Sequence, residues 1–448
     1  MTKSFDKNVI LLVDNKVRDL DGDALIAHHL RNLGIECHLE PLEAFRAVLA
    51  AYRPHMIIFN IMTASHLVEF SKRLAEVGVL TAVLPNEGIL YDYEILRFLA
   101  GRHHSGAHID YFFCWNDVHR RAIKAEGFDH STVEVVGVPR FDFYFEPWSR
   151  VVRQKQPSQS GRPKILLCTN FIGARYWRLP KSEADKWFSL WAREIPLFRN
   201  YWQSVEAHWE GRNRFFDYVK ALLATGQFDI TLRPHPLEEA EVYKKWIDEL
   251  APQERERIQF NSGGNIFGLI LDHDLEVSCE TCTTALEGWI AKKPTIELLF
   301  KKDPLWFNEM HSRSNIPCDD PAKFPDLVNQ QLQNPAQPEK AEIRRAHLET
   351  WCATPDGQSS LRVAKVIANA VNNMKAPDWS RLSLTDYRRA AKLLAKRKLD
   401  LAYHFDPLLS IKGALFPKRY AIKKYVYEKS IRPSDVEPAI RKFESVDH

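Results

Sequence analysis

The sequence predicts an α/β chain with two doubly wound, Rossmann-like domains and a basic, helical C-terminal extension. Its 448 residues amount to about three typical domain lengths. Short apolar runs alternate with helical patterns in two successive series, as in parallel sheets with crossover helices. A stretch rich in proline, serine and charge separates the series and indicates a linker. The predicted ranges are 1–150 for the first domain, 151–163 for the linker, 164–375 for the second domain and 376–448 for the extension.

The first series begins with a buried strand at Asn8–Val13 and a helix at Asp23–Leu33. Gly34 follows this helix and suits the left-handed conformation that ends many helices. Further strands are predicted at Glu36–Leu39, His55–Asn60, Leu80–Leu84, Tyr111–Trp115 and Glu134–Val138, and helices at Leu42–Tyr52 and Ser65–Val77.

The second series continues the same alternation. Strands are predicted at Lys164–Thr169, Asp229–Leu232, Ile258–Phe260, Leu275–Ser278 and Pro294–Leu299, and helices at Arg214–Ala224, Leu237–Leu250, Thr284–Ala291 and Leu361–Asn373. An aromatic-rich insertion follows the first of these strands and holds Trp177, Trp187, Trp191, Trp202 and Trp209. Two interpretations stay open for it: a helical subdomain that packs on the sheet, or a wall that binds an acceptor.

Composition narrows the functional class. The net charge of +4 is too small to indicate a nucleic-acid partner. No run of 18 apolar residues predicts a membrane span, and the N-terminus lacks the pattern of a signal peptide. The seven cysteines are odd in number and scattered, which argues against a disulfide framework. We therefore expect a cytoplasmic protein, and we expect no cofactor. Cys279 and Cys282 form a lone Cys-x-x-Cys pair with no second pair nearby, which argues against zinc.

Ligands of doubly wound sheets bind beyond the carboxyl ends of the strands, so the loops there are the candidate sites. In the second domain Arg233 and His235 follow a strand, in the order Arg-Pro-His-Pro, and suit a phosphate or a leaving oxygen. Thr281, Thr283 and Thr284 precede a helix, whose free N–H groups favour an anion. The alternatives are a rigid turn at the first loop and an ordinary helix cap at the second.

Four weaker candidates complete the set of strand-end loops. Glu87, between Asn86 and Gly88, would place a base or nucleophile opposite the second domain, across an expected cleft. The alternative is a solvated loop acid. The other candidates are Arg140 and Asp142, Asn170, and the pair Lys16 and Arg18.

The order of these segments resembles the surface-carbohydrate biosynthesis glycosyltransferases related to retaining β-Kdo transferases. It also resembles the three-part pattern of bacterial sialyltransferases. The segments that carry the resemblance are KVRDLD at 16–21, NEG at 86–88, GVPRFD at 137–142, TNF at 169–171, RPHP at 233–236, and CTT at 282–284 with KKP at 292–294.

The resemblance implies a GT-B fold, with the donor on the second domain and the acceptor on the first. It implies a CMP-activated 2-keto sugar acid as donor, either Kdo or a nonulosonic acid, for lipopolysaccharide or capsule synthesis. His235 would lie near the donor phosphate, Thr283 and Thr284 would hold that phosphate, and Glu87 would be the catalytic carboxylate. Arg233, Thr281, Asn170, Arg140 and Asp142 are the further donor-binding candidates, and Lys16 and Arg18 the acceptor-side candidates. The resemblance implies no metal.

Two alternatives come from other functional classes. A CDP-polyol phosphotransferase or a nucleotide-sugar epimerase could use the same fold and similar groups. Asn86 and the Cys279–Thr281 segment depart from the family pattern, which leaves a non-catalytic subunit that binds a sugar nucleotide as the other alternative.

The segment 386–432 is basic and carries interleaved Tyr, Leu and Phe. Such a segment suits the anionic inner face of a membrane, where a lipid-linked acceptor would lie. The alternative is a pair of solvated helices that pack on the first domain, and Pro407, Gly413 and Pro417 interrupt any long amphipathic helix.

Overall fold

The computed structural model describes residues 5–104, 106–153, 161–416, 423, 426 and 429–446. Residues 1–142 and 351–448 form one compact unit, and residues 143–350 form the other. Much of the predicted linker and part of the basic segment 386–432 lie outside the described residues. The predicted domain ranges stay a prediction; by contacts, residues 351–375 group with the first unit rather than the second.

Each unit contains one parallel sheet, with six strands among the described residues. The first sheet has the order β2-β1-β3-β4-β5-β6 and the second β12-β11-β10-β7-β8-β9. In the first unit the strands are β1 (Asn8–Val13), β2 (Glu36–Pro41), β3 (Met56–Phe59), β4 (Leu80–Val83), β5 (Tyr111–Cys114) and β6 (Thr132–Val135). In the second they are β7 (Lys164–Cys168), β8 (Asp229–Arg233), β9 (Ile258–Phe260), β10 (Leu275–Cys279), β11 (Thr295–Leu298) and β12 (Ile316–Cys318).

The α-helices flank these sheets. Numbered along the described chain they are α1 (Leu20–Asn32), α2 (Phe45–Tyr52), α3 (Ser65–Val77), α4 (Tyr93–His104), α5 (Asp117–Ala125), α6 (Trp148–Val152), α7 (Lys181–Glu194), α8 (Tyr201–Ala224), α9 (Ala240–Asp248), α10 (Pro252–Arg255), α11 (Ile266–Asp272), α12 (Thr284–Ile290), α13 (Glu309–Arg313), α14 (Phe324–Gln333), α15 (Ala341–Cys352), α16 (Ser359–Asn373), α17 (Leu384–Lys398), α18 (Leu409–Leu415) and α19 (Pro433–Glu444).

The predicted alternation of strands and helices is confirmed. It could be predicted because buried parallel strands are continuous apolar runs in a sequence. The strand predicted at Glu134–Val138 lies instead at Thr132–Val135. The helix predicted at Leu237–Leu250 begins only at Ala240, because the Glu238 carboxylate accepts the backbone N–H of His235 and holds the preceding residues in a turn. The helices α4 and α5 and the strand β12 were not predicted.

The aromatic-rich insertion is helical. It contains α7 and the first half of α8, a helix that was predicted to begin only at Arg214. The second half of α8 packs into the core of the second sheet through Phe215, Tyr218, Val219, Leu222 and Leu223. Trp177 and Trp187 remain exposed, at 37% and 50% of their surface, so the structure leaves the acceptor-wall interpretation open.

The predicted helical extension is present in the described part of the chain, and most of it packs on the first unit. The helix α19 lies against α1, and α17 lies against α2. The helix α16, which precedes the extension, also lies against α1. In α19 the apolar face Val436, Ala439, Ile440 and Phe443 is buried. In α17 Leu393 joins the core of the first sheet, and Arg397 forms an ion pair with the buried Glu40.

Candidate functional site

The first unit has an open pocket of about 370 Å³ at the carboxyl end of its sheet. Residues that follow β1, β4, β5 and β6 line it, so three of the strand-end segments singled out in the sequence meet here. The lining residues are Arg18, Asp19, Gly22, Asp23, Leu84, Pro85, Asn86, Trp115, Val138, Pro139 and Arg140. We call this the first-unit pocket.

Asp19 ties the loops of the first-unit pocket together. Its carboxylate accepts the Nε–H of Arg18 at 2.7 Å, the backbone N–H of Asn15 at 3.0 Å and the amide of Asn86 at 3.2 Å. Burial raises the pKa of Asp19, and the Arg18 guanidinium opposes that shift. Because each of these bonds comes from a different donor group, Asp19 holds the loops after β1 and β4 in a fixed relation.

Arg140 forms another side of the same pocket. Its guanidinium lies over the Trp115 ring, 5.0 Å from the centroid, and donates to the backbone carbonyl of Asn86 at 3.3 Å. Its Nε–H is buried and has no hydrogen-bond partner among the described residues. A buried donor without a partner is costly, so Arg140 is well placed to donate to a bound ligand.

Two predicted residues of the first unit lie at the margin of this pocket. The side chain of Glu87 is 71% exposed, and its carboxylate lies 3.9 Å from the Arg18 guanidinium. Lys16 donates its backbone N–H to the carbonyl of Lys429, and no ion pair fixes its side chain among the described residues.

The structure gives Asp142 a different role from the predicted donor contact. Its two oxygens accept the backbone N–H groups of Ser359 and Ser360 at 3.0 and 2.7 Å, at the start of α16. Burial raises the pKa of Asp142 to about 6, and these backbone bonds oppose the shift. Because Asp142 is 1% exposed, it anchors the start of α16 to the loop after β6 and offers no face to a donor.

In the second unit, Glu238 links the strand-end loops through hydrogen bonds, as Asp19 does in the first unit. Its carboxylate accepts the hydroxyl of Thr169 at 2.6 Å, the backbone N–H of His235 at 3.1 Å and the hydroxyl of Tyr243. Burial raises the pKa of Glu238, and the hydroxyl donors oppose the shift. These bonds join the ends of β7 and β8 and fix the backbone at His235.

His235 is held as a neutral donor. The backbone N–H of Leu237 donates to its Nδ1 at 3.2 Å, so the ring proton lies on Nε2. Burial, together with the cationic Arg175 and Arg233, lowers the pKa of His235 to about 4. At neutral pH His235 is therefore an uncharged N–H donor in a positive environment, which suits a departing phosphate oxygen.

The two arginines near His235 differ in how many of their N–H groups already donate hydrogen bonds to the protein. Arg233 donates to the side chain of Asn261 and to the backbone carbonyls of Gly263 and Gly264, so it braces the loop after β9. Arg175 donates to the hydroxyl of Tyr176 and, at 3.4 Å, to the carbonyl of Leu237. Its Nε is buried and has no hydrogen-bond partner among the described residues.

The predicted threonine site is largely occupied by the protein itself. The Thr284 hydroxyl donates to Glu276 at 2.6 Å. The Thr281 hydroxyl accepts the backbone N–H of Asn308 at 2.8 Å, and the Thr281 N–H donates to Glu297 at 2.7 Å. Of the three predicted threonines, Thr283 is the one whose hydroxyl has no hydrogen bond to another described residue, and it precedes a helix of 7 residues. Asn170 is half-buried directly after Thr169.

Sequence reasoning missed Asp23 and Arg175. Asp23 was placed inside the first helix as an ordinary residue, although the acids at 19, 21 and 23 could have suggested an acidic first turn. Arg175 lies in the aromatic insertion, where no periodic pattern pointed to it. Its signal is the adjacent Tyr176, because arginines stack readily on aromatic rings.

Comparison with known proteins bears on the fold. No family model matches the chain, and no curated protein matches it. Among solved structures, S. aureus MnaA with UDP is similar, with a TM-score of 0.50 and 13% identity over 83% of this chain and 99% of that one. The Methanocaldococcus jannaschii UDP-GlcNAc 2-epimerase in complex with UDP-GlcNAc and UDP has a TM-score of 0.50 and 13% identity, over 81% of this chain and 99% of that one. These likenesses confirm the predicted GT-B fold.

Proposed function

We propose that this chain is a glycosyltransferase that takes a sugar from a nucleotide-activated donor. The observation that carries the proposal is the His235 site of the second unit. A neutral N–H donor with Arg175 and Arg233 beside it would stabilise the negative charge that develops on a leaving phosphate. Nucleotides bound to the two structural neighbours are consistent with a nucleotide ligand on this fold.

The donor we propose is a CMP-activated 2-keto sugar acid. This choice rests on the motif order of the sequence, with Arg-Pro-His-Pro before the Cys-Thr-Thr segment. Thr283 and Asn170 are the polar groups of the second unit still open to such a donor, in addition to His235 and Arg175. A carboxylate of the first unit would then take the proton of the acceptor hydroxyl; the resemblance assigns this role to Glu87.

Isothermal calorimetry with CMP, CDP and UDP on the full-length protein tests the donor. We expect heat of binding with CMP and a weaker response with UDP. Binding of UDP with no response to CMP would contradict the proposed donor. Arg175→Ala tests whether the CMP signal comes from the proposed site, because it removes a cationic group beside His235.

A UDP-sugar epimerase is the second candidate, and the observation that favours it is the fold shared with a UDP-GlcNAc 2-epimerase. Incubation with UDP-GlcNAc, followed by proton NMR of the sugar, decides between the two. Inversion at carbon 2 without an acceptor would establish the epimerase. Unchanged UDP-GlcNAc, together with CMP binding, would favour the transferase.

The membrane partner is part of the proposal, and exposed apolar side chains support binding through one helix. The helix α18 and its flanks expose Leu408, Ile411, Leu415 and Phe416 at 50%, 59%, 67% and 56%. Because α17 and α19 pack on the first unit, truncation near Ala376 would damage that unit. The sharper test is flotation with phosphatidylserine vesicles of the variant Ile411→Ser/Leu415→Ser. We expect the variant to lose binding that the wild type shows; equal flotation would rule out α18.

A further inference from the structure

The first turn of α1 presents three residues to the first-unit pocket. Asp19, Gly22 and Asp23 stand at positions i, i+3 and i+4, which share one face of a helix. A Cβ added at Gly22 would meet no atom within 4 Å. Glycine inside a helix costs about 1 kcal/mol relative to alanine. The missing side chain therefore keeps the pocket open directly beside Asp23, at some cost in helix stability.

The two carboxylates of this turn are used differently. Asp19 receives donors from Arg18, Asn15 and Asn86, as described above. Asp23 lines the same pocket, but its side chain has no hydrogen bond or ion pair with any described residue. A carboxyl group at a pocket wall, with no protein partner, has its oxygens available to a ligand.

The charges around Asp23 come from three segments. Asp19 caps its own helix, Arg18 lies in the loop before it, and Arg140 follows β6. Glu87, after β4, lies 3.9 Å from Arg18. Burial raises the pKa of Asp23 well above its usual range, Asp19 adds to the shift, and Arg18 opposes it. Lys442 of α19 forms an ion pair with Asp21.

We propose that the first-unit pocket binds the hydroxyl group of the acceptor and that Asp23 removes its proton. This inference rests on the proposed transferase function and deepens it. The acceptor oxygen forms a bond to the anomeric carbon of the donor. The bond from that carbon to the phosphate oxygen breaks, and the nucleotide leaves with the electron pair. The hydroxyl proton passes to the Asp23 carboxylate, so no further reactant is needed.

Two features favour Asp23 over Glu87 for this step. A carboxylate base benefits when its pKa is raised toward the working pH, and burial raises the pKa of Asp23 above its usual range. The Glu87 side chain is 71% exposed, so water competes for it. The Nε–H of Arg140 and the Trp115 ring lie in the same pocket as Asp23 and provide a donor and an apolar face for a sugar.

The first test compares Asp23→Asn, Glu87→Gln and the control Asp21→Asn in full-length protein. The measurement is release of CMP from CMP-Kdo, with water or a mixture of saccharides as acceptor. We expect Asp23→Asn to lose on the order of 10²-fold or more in kcat, as for other proton-transfer groups. We expect Glu87→Gln to lose less than about tenfold and Asp21→Asn to stay near wild type. A wild-type rate for Asp23→Asn would overturn the inference.

The pH profile separates proton transfer from a merely structural effect. A base is active when deprotonated, so wild-type kcat/KM should rise with pH through a midpoint above the usual aspartate range. Asp23→Asn should remove that rise, whereas a variant that is only less stable should keep it. A retained rise in Asp23→Asn would count against the assignment.

A second variant tests the pocket without touching the carboxyl group. Gly22→Ala should fold well, because alanine favours the helix, and should lower turnover modestly. Gly22→Leu should fill the pocket and lower transfer on the order of 10-fold or more, as expected when positioning is lost. Unchanged transfer in Gly22→Leu would show that the acceptor binds elsewhere.

Failure of the proposed transferase function can be distinguished from failure of the Asp23 assignment. Wild-type protein that binds CMP but turns over no donor would contradict the transferase. Carbon-13 NMR of protein labelled at the aspartate carboxyl carbons, with Asp23→Asn for assignment, then judges Asp23 alone. Titration within the ordinary aspartate range would overturn the inference about Asp23 whatever the reaction.

Discussion

The two sheets end in polar loops that are organised alike but leave different groups open to a ligand. In each unit a buried carboxylate gathers the loops: Asp19 in the first unit and Glu238 in the second. In the first unit the group left open is an acid, Asp23. In the second unit it is a neutral histidine with an arginine beside it. In each unit the carboxylate that accepts the most hydrogen bonds holds the loops in place. The neighbouring group with few hydrogen bonds is the candidate for catalysis.

Of the substitutions that test this comparison, His235→Ala should have the largest effect. Loss of one preorganised donor to a developing anion costs about 10²- to 10³-fold in kcat, and we expect that loss for CMP release from the donor. Because the pKa of His235 is about 4, the ring stays neutral and the loss should be constant across neutral pH. His130→Ala, at an exposed histidine of the first unit, is the control. A loss below tenfold would remove His235 from the chemistry.

Glu276→Gln tests the buried carboxylates that fix the second-unit loops. Burial raises the pKa of Glu276 to about 8, so the folded protein holds a proton that the unfolded chain releases near pH 4.5. Wild-type stability should therefore fall as pH rises from about 4.5 to about 8. The falling slope is roughly 1.4 kcal/mol per pH unit.

Urea unfolding followed by tryptophan fluorescence measures this effect. The advantage of Glu276→Gln over the wild type should grow with pH across that window. The exposed, paired Glu309 provides the control, since Glu309→Gln should show no such trend. A constant difference between Glu276→Gln and wild type would mean that Glu276 is ionised in the fold.

Arg175→Ala should have the smallest effect of these three substitutions. It tests the difference between Arg175 and Arg233. Its loss removes one cationic donor from the proposed nucleotide site, and we expect CMP binding to weaken by about tenfold, a typical value for a charged hydrogen bond. Arg178→Ala is the matched control, because Arg178 lies in the same loop and stacks on Trp209 at 4.5 Å. Equal weakening by both substitutions would point to general charge rather than a specific contact.

The sequence was sufficient to locate the loops but not to assign the bonds within them. The ends of strands, such as the one at Arg233, can be predicted because buried parallel strands are unbroken apolar runs. Thr284 was predicted to face a phosphate, yet it donates to Glu276, a residue on β10 whose direction depends on the pleat of the strand. The same holds for Asp142, whose partners Ser359 and Ser360 lie more than 200 residues away. Such distant pairings leave no local pattern.

Asp23 and Arg175 show the complementary difficulty. Both are important because few protein groups bond to them, and the absence of a partner cannot be read from neighbouring letters. The helix prediction began at Asp23 and therefore concealed the turn from Leu20 that carries the pocket. Only the three-dimensional arrangement distinguishes the satisfied Asp19 from Asp23 in the same run of acids.

The first unit is discontinuous along the chain, and this has a consequence for synthesis on the ribosome. Residues 143–350 are contiguous, so the second unit can fold as soon as they emerge. The first unit must wait for α16, α17 and α19, and Phe443 of α19 is completely buried. About 400 residues separate the end of α1 from the start of α19, so at roughly 5–20 residues per second the face of α1 that α19 covers stays bare for roughly 20–80 seconds. During that interval the nascent chain exposes apolar surface of the kind that chaperones bind.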